Sequence, residues 1–283
     1  MTATDPKTSE PRRLPTRLPR ALSIGVVTTV LIGAAVGLRF GLPSYRQIVL
    51  FRDIERLGGH VETRMAGPQW VRDRLGHKLT EQLFDTVFQV NLSQTKATDN
   101  TLVNLTGQTS LESISLDNTD VTDAGLEFLE RQPNLQLLWL RDTCVSDAAL
   151  IHLRVLTNLK ALSLNNSDVT DAGLVHLADL TNLESLSLPA RVTDVGLSQL
   201  TGLVRLRVLQ LNNTRVTDAG LIHLQALTSL RQLDLSHTQV TDAGLVALKG
   251  LSRLTHVLLY GTQVSDAGIA ELRRALPGRM IQK

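Results

Sequence analysis

Eight aspartates recur along the chain, Asp99, Asp123, Asp147, Asp171, Asp194, Asp218, Asp242 and Asp266, each directly after a Thr or Ser. A carboxylate ladder could in principle hold calcium, but that ion needs about six to eight oxygens converging on one point. One Thr-Asp pair per period instead suits the capping of orphan N–H groups at the start of a short helix. His152, His176 and His223 share one place, seven residues after a recurring Val, and the first two fall in adjacent units. A zinc ion needs three or four protein ligands. The matching residue before His223 is Gln199, and no carboxylate or cysteine completes a set, so these histidines read as solvated helix-surface residues. The single cysteine, Cys144, excludes an internal disulfide and a multi-cysteine metal site. Arg141 lies near it in sequence, but no histidine does that could orient a nucleophile. With no G-x-S-x-G, phosphate loop, H-E-x-x-H or Rossmann glycine motif, the sequence implies no enzyme, metal or cofactor.

The elements that carry these residues are set by a repeat. The segment VTDAGL at 121 recurs as VSDAAL at 145, VTDAGL at 169, VTDVGL at 192, VTDAGL at 216 and 240, and VSDAGI at 264, with a degenerate ATDNTL at 97. Every step is 24 residues except one of 23. Between the copies, L-x-x-L-x-L alternates its leucines as a short strand with one buried side would. The V-T-D-A-G-L-x-x-L that follows suits a short helix burying its leucines. No unit can cover its leucines alone, so units must stack into a solenoid. The expected fold is α/β: a horseshoe of about eight parallel strands on the concave face, centred near Val90, Ile114, Leu138, Leu162, Leu186, Leu209, Leu233 and Val257, with short helices on the convex face.

On the concave side most outward positions are small and polar, and two clusters depart from that. Trp139 and Arg141 stand on the third strand beside Leu137; His256, Leu258 and Tyr260 stand on the eighth, with Asp234 beside them. Trp, Tyr and Arg are the side chains that most often dominate binding energies, so these six residues are the expected protein-binding site. The alternative for the first cluster is local packing, with Trp139 flat over Ser115 and Ser163 and Arg141 paired to Asp117. Pro189 lies in the one short unit, where the solenoid should show a local irregularity.

Residues 21 to 38 form 18 consecutive uncharged positions between Arg20 and Arg39, close to the length of a membrane span. An uncleaved transmembrane helix over 21–42 is the leading expectation, and a cleaved signal peptide competes with it. The basic cluster Lys7, Arg12, Arg13, Arg17 and Arg20 places a short N-terminal tail in the cytoplasm and the repeats outside it. Gly33, Gly37 and Gly41, four residues apart, would let two such helices approach as a homodimer. The division expected is a basic tail at 1–20, the span at 21–42, a helical N-terminal cap at 43–86 built from YRQIVLFRDIERLGG and GPQWVRDRLG, repeats at 87–276, and a C-terminal cap at 277–283 with Met280 and Ile281 as its edge. Lys+Arg 29 against Asp+Glu 27 leaves the chain nearly neutral, and 87 to 283 carry 16 basic and 19 acidic residues, which disfavours nucleic acid as a partner.

The pattern L-x-x-L-x-L-x-x-T-x-V-T-D-A-G-L resembles the leucine-rich repeats of the ribonuclease-inhibitor-like superfamily, nearest the cysteine-containing subtype of F-box proteins and its bacterial relatives. It differs from that subtype in three respects. Thr95, Thr119, Thr143, Ser167, Thr214, Thr238 and Thr262 replace the cysteine, the period is shorter, and an apolar run stands where an F-box would. The resemblance implies a protein-binding scaffold. A structural or self-associating envelope protein and an intracellular F-box-like adaptor are the alternatives.

Overall fold

The computed structural model describes residues 42–64 and 86–283. All but Leu42 of the expected span, the Gly33, Gly37 and Gly41 face, and the helix expected from GPQWVRDRLG lie outside the described residues. Among the described residues no helix is long and apolar enough to cross a membrane.

One sheet runs the length of the repeats: β1 (His60–Arg64), β2 (Thr86–Asn91), β3 (Ser113–Ser115), β4 (Leu137–Trp139), β5 (Ala161–Ser163), β6 (Ser185–Ser187), β7 (Val208–Gln210), β8 (Gln232–Asp234), β9 (His256–Leu258) and β10 (Met280–Gln282), in that spatial order. Strands β2 to β9 fall on the eight expected centres, and two more join them. At one end β10 adds in parallel, Ile281 opposite Val257. At the other β1 pairs antiparallel to β2, His60 opposite Asn91. Helix α1 (Leu42–Leu57) covers that end by burying Leu50, Phe51 and Ile54, so the N-terminal cap is a helix followed by a strand, not helical throughout. Nothing in HVETR announced a strand, because its alternate residues are only half buried and carry no leucine.

Each unit places its leucines in columns. In β3 to β5, Ile114, Leu138 and Leu162 stand side by side and are essentially unexposed. On the convex side two units carry longer helices, at Asp123–Arg131 and Asp266–Ala275, and most make only one or two tight turns, such as Asp147–Leu150 continued by Ile151–Leu153. Helices this short gain their stability from buried leucines rather than from their own hydrogen bonds.

Neighbouring units are tied by their aspartates. Asp194 Oδ1 accepts the backbone N–H of Thr217 at 2.8 Å and Oδ2 accepts its hydroxyl at 2.6 Å. The same two-bond clasp recurs seven times, from Asp99 to Thr122 through Asp242 to Ser265. Thr217 is the helix cap, its hydroxyl accepting from the N–H of Ala219, while the aspartate reaches forward into the next unit instead of capping its own. The glycine of the motif makes room for this clasp: a Cβ on Gly220 would collide with the Asp194 carboxylate. The hydroxyl column from Thr95 to Thr262, whose regular spacing suits bonds to the backbone of adjacent coils, is used differently. Thr119, Thr143, Thr214 and Thr238 each donate to the carbonyl three residues back in their own coil, closing the turn rather than bridging to a neighbour.

That turn requires a left-handed residue, supplied by Asn118, Asp142, Asn166, Asn213 and His237 with φ between 53° and 63°. The short unit has no such residue. The rung in which the Asn118 N–H donates to the Arg141 carbonyl, or Asn213 to Ser236, is not formed between Asn166 and Pro189, whose carbonyl accepts the Val192 N–H at 3.2 Å instead. The irregularity stays in the turn: β6 and β7 keep their register, Leu186 opposite Leu209.

Candidate protein-binding surface

The strand pairing sets the neighbours of every outward side chain. Trp139 lies between Ser115 and Ser163, and Leu137 between Ser113 and Ala161. The side chains flanking this pair are small, so the indole and the leucine rise above them, and both remain partly exposed. Arg141 falls in the turn just past β4 rather than on the strand, is exposed, and donates from Nε to Asp142 Oδ2 at 3.0 Å. The pairing expected with Asp117 is made by the backbone instead, the Arg141 N–H donating to Asp117 Oδ1 at 2.8 Å. Burial raises the Asp117 carboxyl above its ordinary value, opposed by that N–H and by the Arg141 charge.

The second cluster is built from β8, β9 and the turn after β9, where Tyr260 stands two residues past the strand on which it is expected. Asp234 Oδ1 accepts the backbone N–H of Ser236 at 2.9 Å, which fixes one carboxylate oxygen. Leu258 lies in register between Asp234 and Gln282. His256 is half buried, with Nδ1 2.9 Å from the Thr255 hydroxyl. Tyr260 is 43% exposed and its hydroxyl donates to Gln282 Oε1 at 3.0 Å. The six residues therefore form two groups, Trp139 with Arg141 and Asp234 with His256, Leu258 and Tyr260. Five strand spacings of about 4.8 Å separate them, about 24 Å in all.

His152 does not face His176; its Nδ1 lies 2.7 Å from Glu130 Oε1. Among the described residues no three His, Cys, Asp or Glu side chains gather as a metal would require. A feature absent from the sequence-based expectations is a cleft of about 500 Å³ beside the first strands. There Arg64 forks onto Glu112 at 2.5 and 2.9 Å and lies 4.5 Å over the Phe88 ring, while Lys160 donates to Gln136. Arg64 stands outside the repeat, so periodicity carried no signal for it.

Comparisons with known proteins agree with this geometry. A family model described as a leucine-rich repeat matches residues 155–178, and one of two such copies matches 204–247. The chain is a leucine-rich repeat protein. Comparison with curated proteins finds no match. Similar solved structures include an internalin (InlF) from Listeria monocytogenes, 21% identical with a TM-score of 0.58 over 68% of this chain and 53% of that one. Internalin C2 from the same organism is 24% identical, with a TM-score of 0.57 over 71% of this chain and 85% of its own. This leucine-rich repeat chain thus spans about half of the InlF structure, and at these identities the likeness is one of fold.

Proposed function

We propose that this leucine-rich repeat protein is a non-enzymatic scaffold that binds a protein partner through its concave face and is held at a membrane by residues 21–42, with the repeats outside the cytoplasm. The observation that carries the binding role is Trp139, partly exposed and in register between two serines, with exposed Arg141 two residues on. Solenoids use such extended concave sheets for binding, and a partner of standard interface size is broad enough to reach the Tyr260 group as well. The V-T-D-A-G-L motif supports placing the repeats beside those of the ribonuclease-inhibitor-like superfamily and its bacterial relatives. The uncharged run at 21–38 and the basic residues before it support the anchor and its orientation.

The test uses the full chain in mild detergent as bait for envelope proteins, side by side with a Trp139→Ala, Arg141→Ala variant and a convex control, His152→Ala with His176→Ala. A protein retained by the first and third and lost from the second is the expected result. Equal retention by all three places binding elsewhere. Protease shaving of intact spheroplasts tests the orientation, since repeats outside the cytoplasm are cleaved and repeats inside are shielded.

A further inference from the structure

The convex face carries a feature that binding on the concave side does not use. One position of the convex turn, just after the glycine and leucine of the motif, reads Glu127, Ile151, Val175, Ser198, Ile222, Val246 and Ala270 from unit to unit. The four aliphatics are 51% to 60% exposed, and where Ser198 interrupts them Val195, one turn earlier, is 65% exposed. Ala148, Ala172, Ala219 and Ala243, three residues before them, are exposed as well. The polar groups along this strip find partners within the chain, by hydrogen bonds to neutral donors for the aspartates and by ion pairs for the rest. Its aspartates are clasped by the next unit, Arg154 lies 3.8 Å from Asp179, and Lys249 lies 2.5 Å from Glu271. At this position the turns at the two ends read Glu127 and Ala270, so the aliphatics are confined to the central units.

The geometry points to a second copy of this chain as the occupant, packed back to back and antiparallel. Three features select it. The first is pitch: a second copy presents the same spacing between aliphatics, so they meet along five units without accumulating mismatch. The second is symmetry. The strip is palindromic about Ser198, so a two-fold axis there brings Val175 onto Ile222 and Ile151 onto Val246, the isologous contact that closed dimers use. The third is charge. Glu127 and Glu130 outnumber Arg131 at one end of the strip, and Arg273 and Arg274 outnumber Glu271 at the other, all exposed, so an antiparallel pair sets the acidic excess against the basic one while a parallel pair sets like against like.

The area supplies an apolar centre for such a contact. The aliphatics offer on the order of 300 Å² of apolar surface, which the alanines extend, within the range of the largest apolar patch on a typical chain, a patch that is often functional. That is a large part of the apolar share of one side of a standard interface, about 800 Å² per partner. The inference does not depend on the concave site, because a back-to-back pair leaves both concave faces open and turns one binding surface into two.

Sedimentation equilibrium of the full chain in density-matched detergent reads the result. The expected outcome is a dimer at micromolar concentration whose dissociation constant rises at least about a hundredfold in Val175→Glu, Ile222→Glu, with the melting temperature unchanged. Should that variant melt early, Ile151→Gln, Val246→Gln carries the same test. Glu127→Lys, Glu130→Lys should weaken the dimer, and adding Arg274→Glu should restore part of the loss. A chain that is monomeric at every concentration overturns the inference. So does a dimer indifferent to the convex variants, or one abolished instead by Gly33→Leu, Gly37→Leu, which would place self-association in the N-terminal segment.

Discussion

Replacing Asp194 by Ala removes one complete clasp between two central units. The carboxylate accepts a backbone N–H and a hydroxyl from Thr217, at 2.8 and 2.6 Å. Hydrogen bonds to charged groups contribute about 1.5–3 kcal/mol each, and here both partners are half exposed, so water recovers part of the loss. The expected cost is about 2–3 kcal/mol, which for a chain of this size lowers the melting temperature by about 5–10 °C. Asp194→Asn keeps an acceptor for the N–H and should cost about 1 kcal/mol. Urea unfolding of Asp194→Ala, Thr217→Val and the double variant separates the shared interaction from the individual losses. The double variant should be less destabilised than the sum of the two singles by about 1 kcal/mol or more. Because stability in a solenoid is largely the sum of unit and interface contributions, weakening one interface should also broaden the transition. Additive effects, or an Asp194→Ala cost below about 0.5 kcal/mol, would show that the clasps are surface ornament and that the leucine columns alone hold the units together.

Further outcomes follow from single positions. Gln132 is fully buried where other units have Leu156, Leu180 and Leu203, and its Oε1 has no partner, so Gln132→Leu should stabilise the fold by about 1–2 kcal/mol in thermal unfolding. Asn166 sits at φ 56°, so the β-branched Asn166→Val should cost about 1–2 kcal/mol while Asn166→Gly stays near neutral. Acidification should weaken the Asp242 clasp. The Ser265 hydroxyl, followed by the Ser265 N–H, holds that carboxyl below its ordinary value. The stabilisation is therefore present above the ordinary carboxylate range and lost as pH falls through the depressed value. The stability gap between the native chain and Asp242→Asn should accordingly narrow from pH 7 toward acid.

The repeat made the leucine columns, the strand centres and the concave positions of Trp139 and Tyr260 legible, because a fixed period with alternating leucines admits one stacking. Bonds between units were less legible. Asp194 and Thr217 are 23 residues apart, and a Thr-Asp dipeptide looks like a self-contained cap until its partner in the next coil is seen. The direction of the threonine hydroxyls is hidden for the same reason: a column spaced like a ladder suggests rungs between coils, whereas each hydroxyl closes its own turn. Strand β1 and Arg64 were invisible because they stand outside the period. The convex aliphatics recur in LIHL, LVHL and LIHL, but the pattern does not distinguish the exposed isoleucine and valine from the leucines that are buried beside them.

The most direct test of partner recognition on the concave face is calorimetric titration of the captured partner into the full chain and into Trp139→Ala and Tyr260→Ala variants. Each substitution should weaken binding by about thirtyfold, about 2 kcal/mol, with the melting temperature nearly unchanged, since neither side chain belongs to the leucine core. Undiminished affinity in the Trp139→Ala, Tyr260→Ala double variant would contradict concave binding, and a large fall in melting temperature would show that these aromatics hold the sheet instead of a partner.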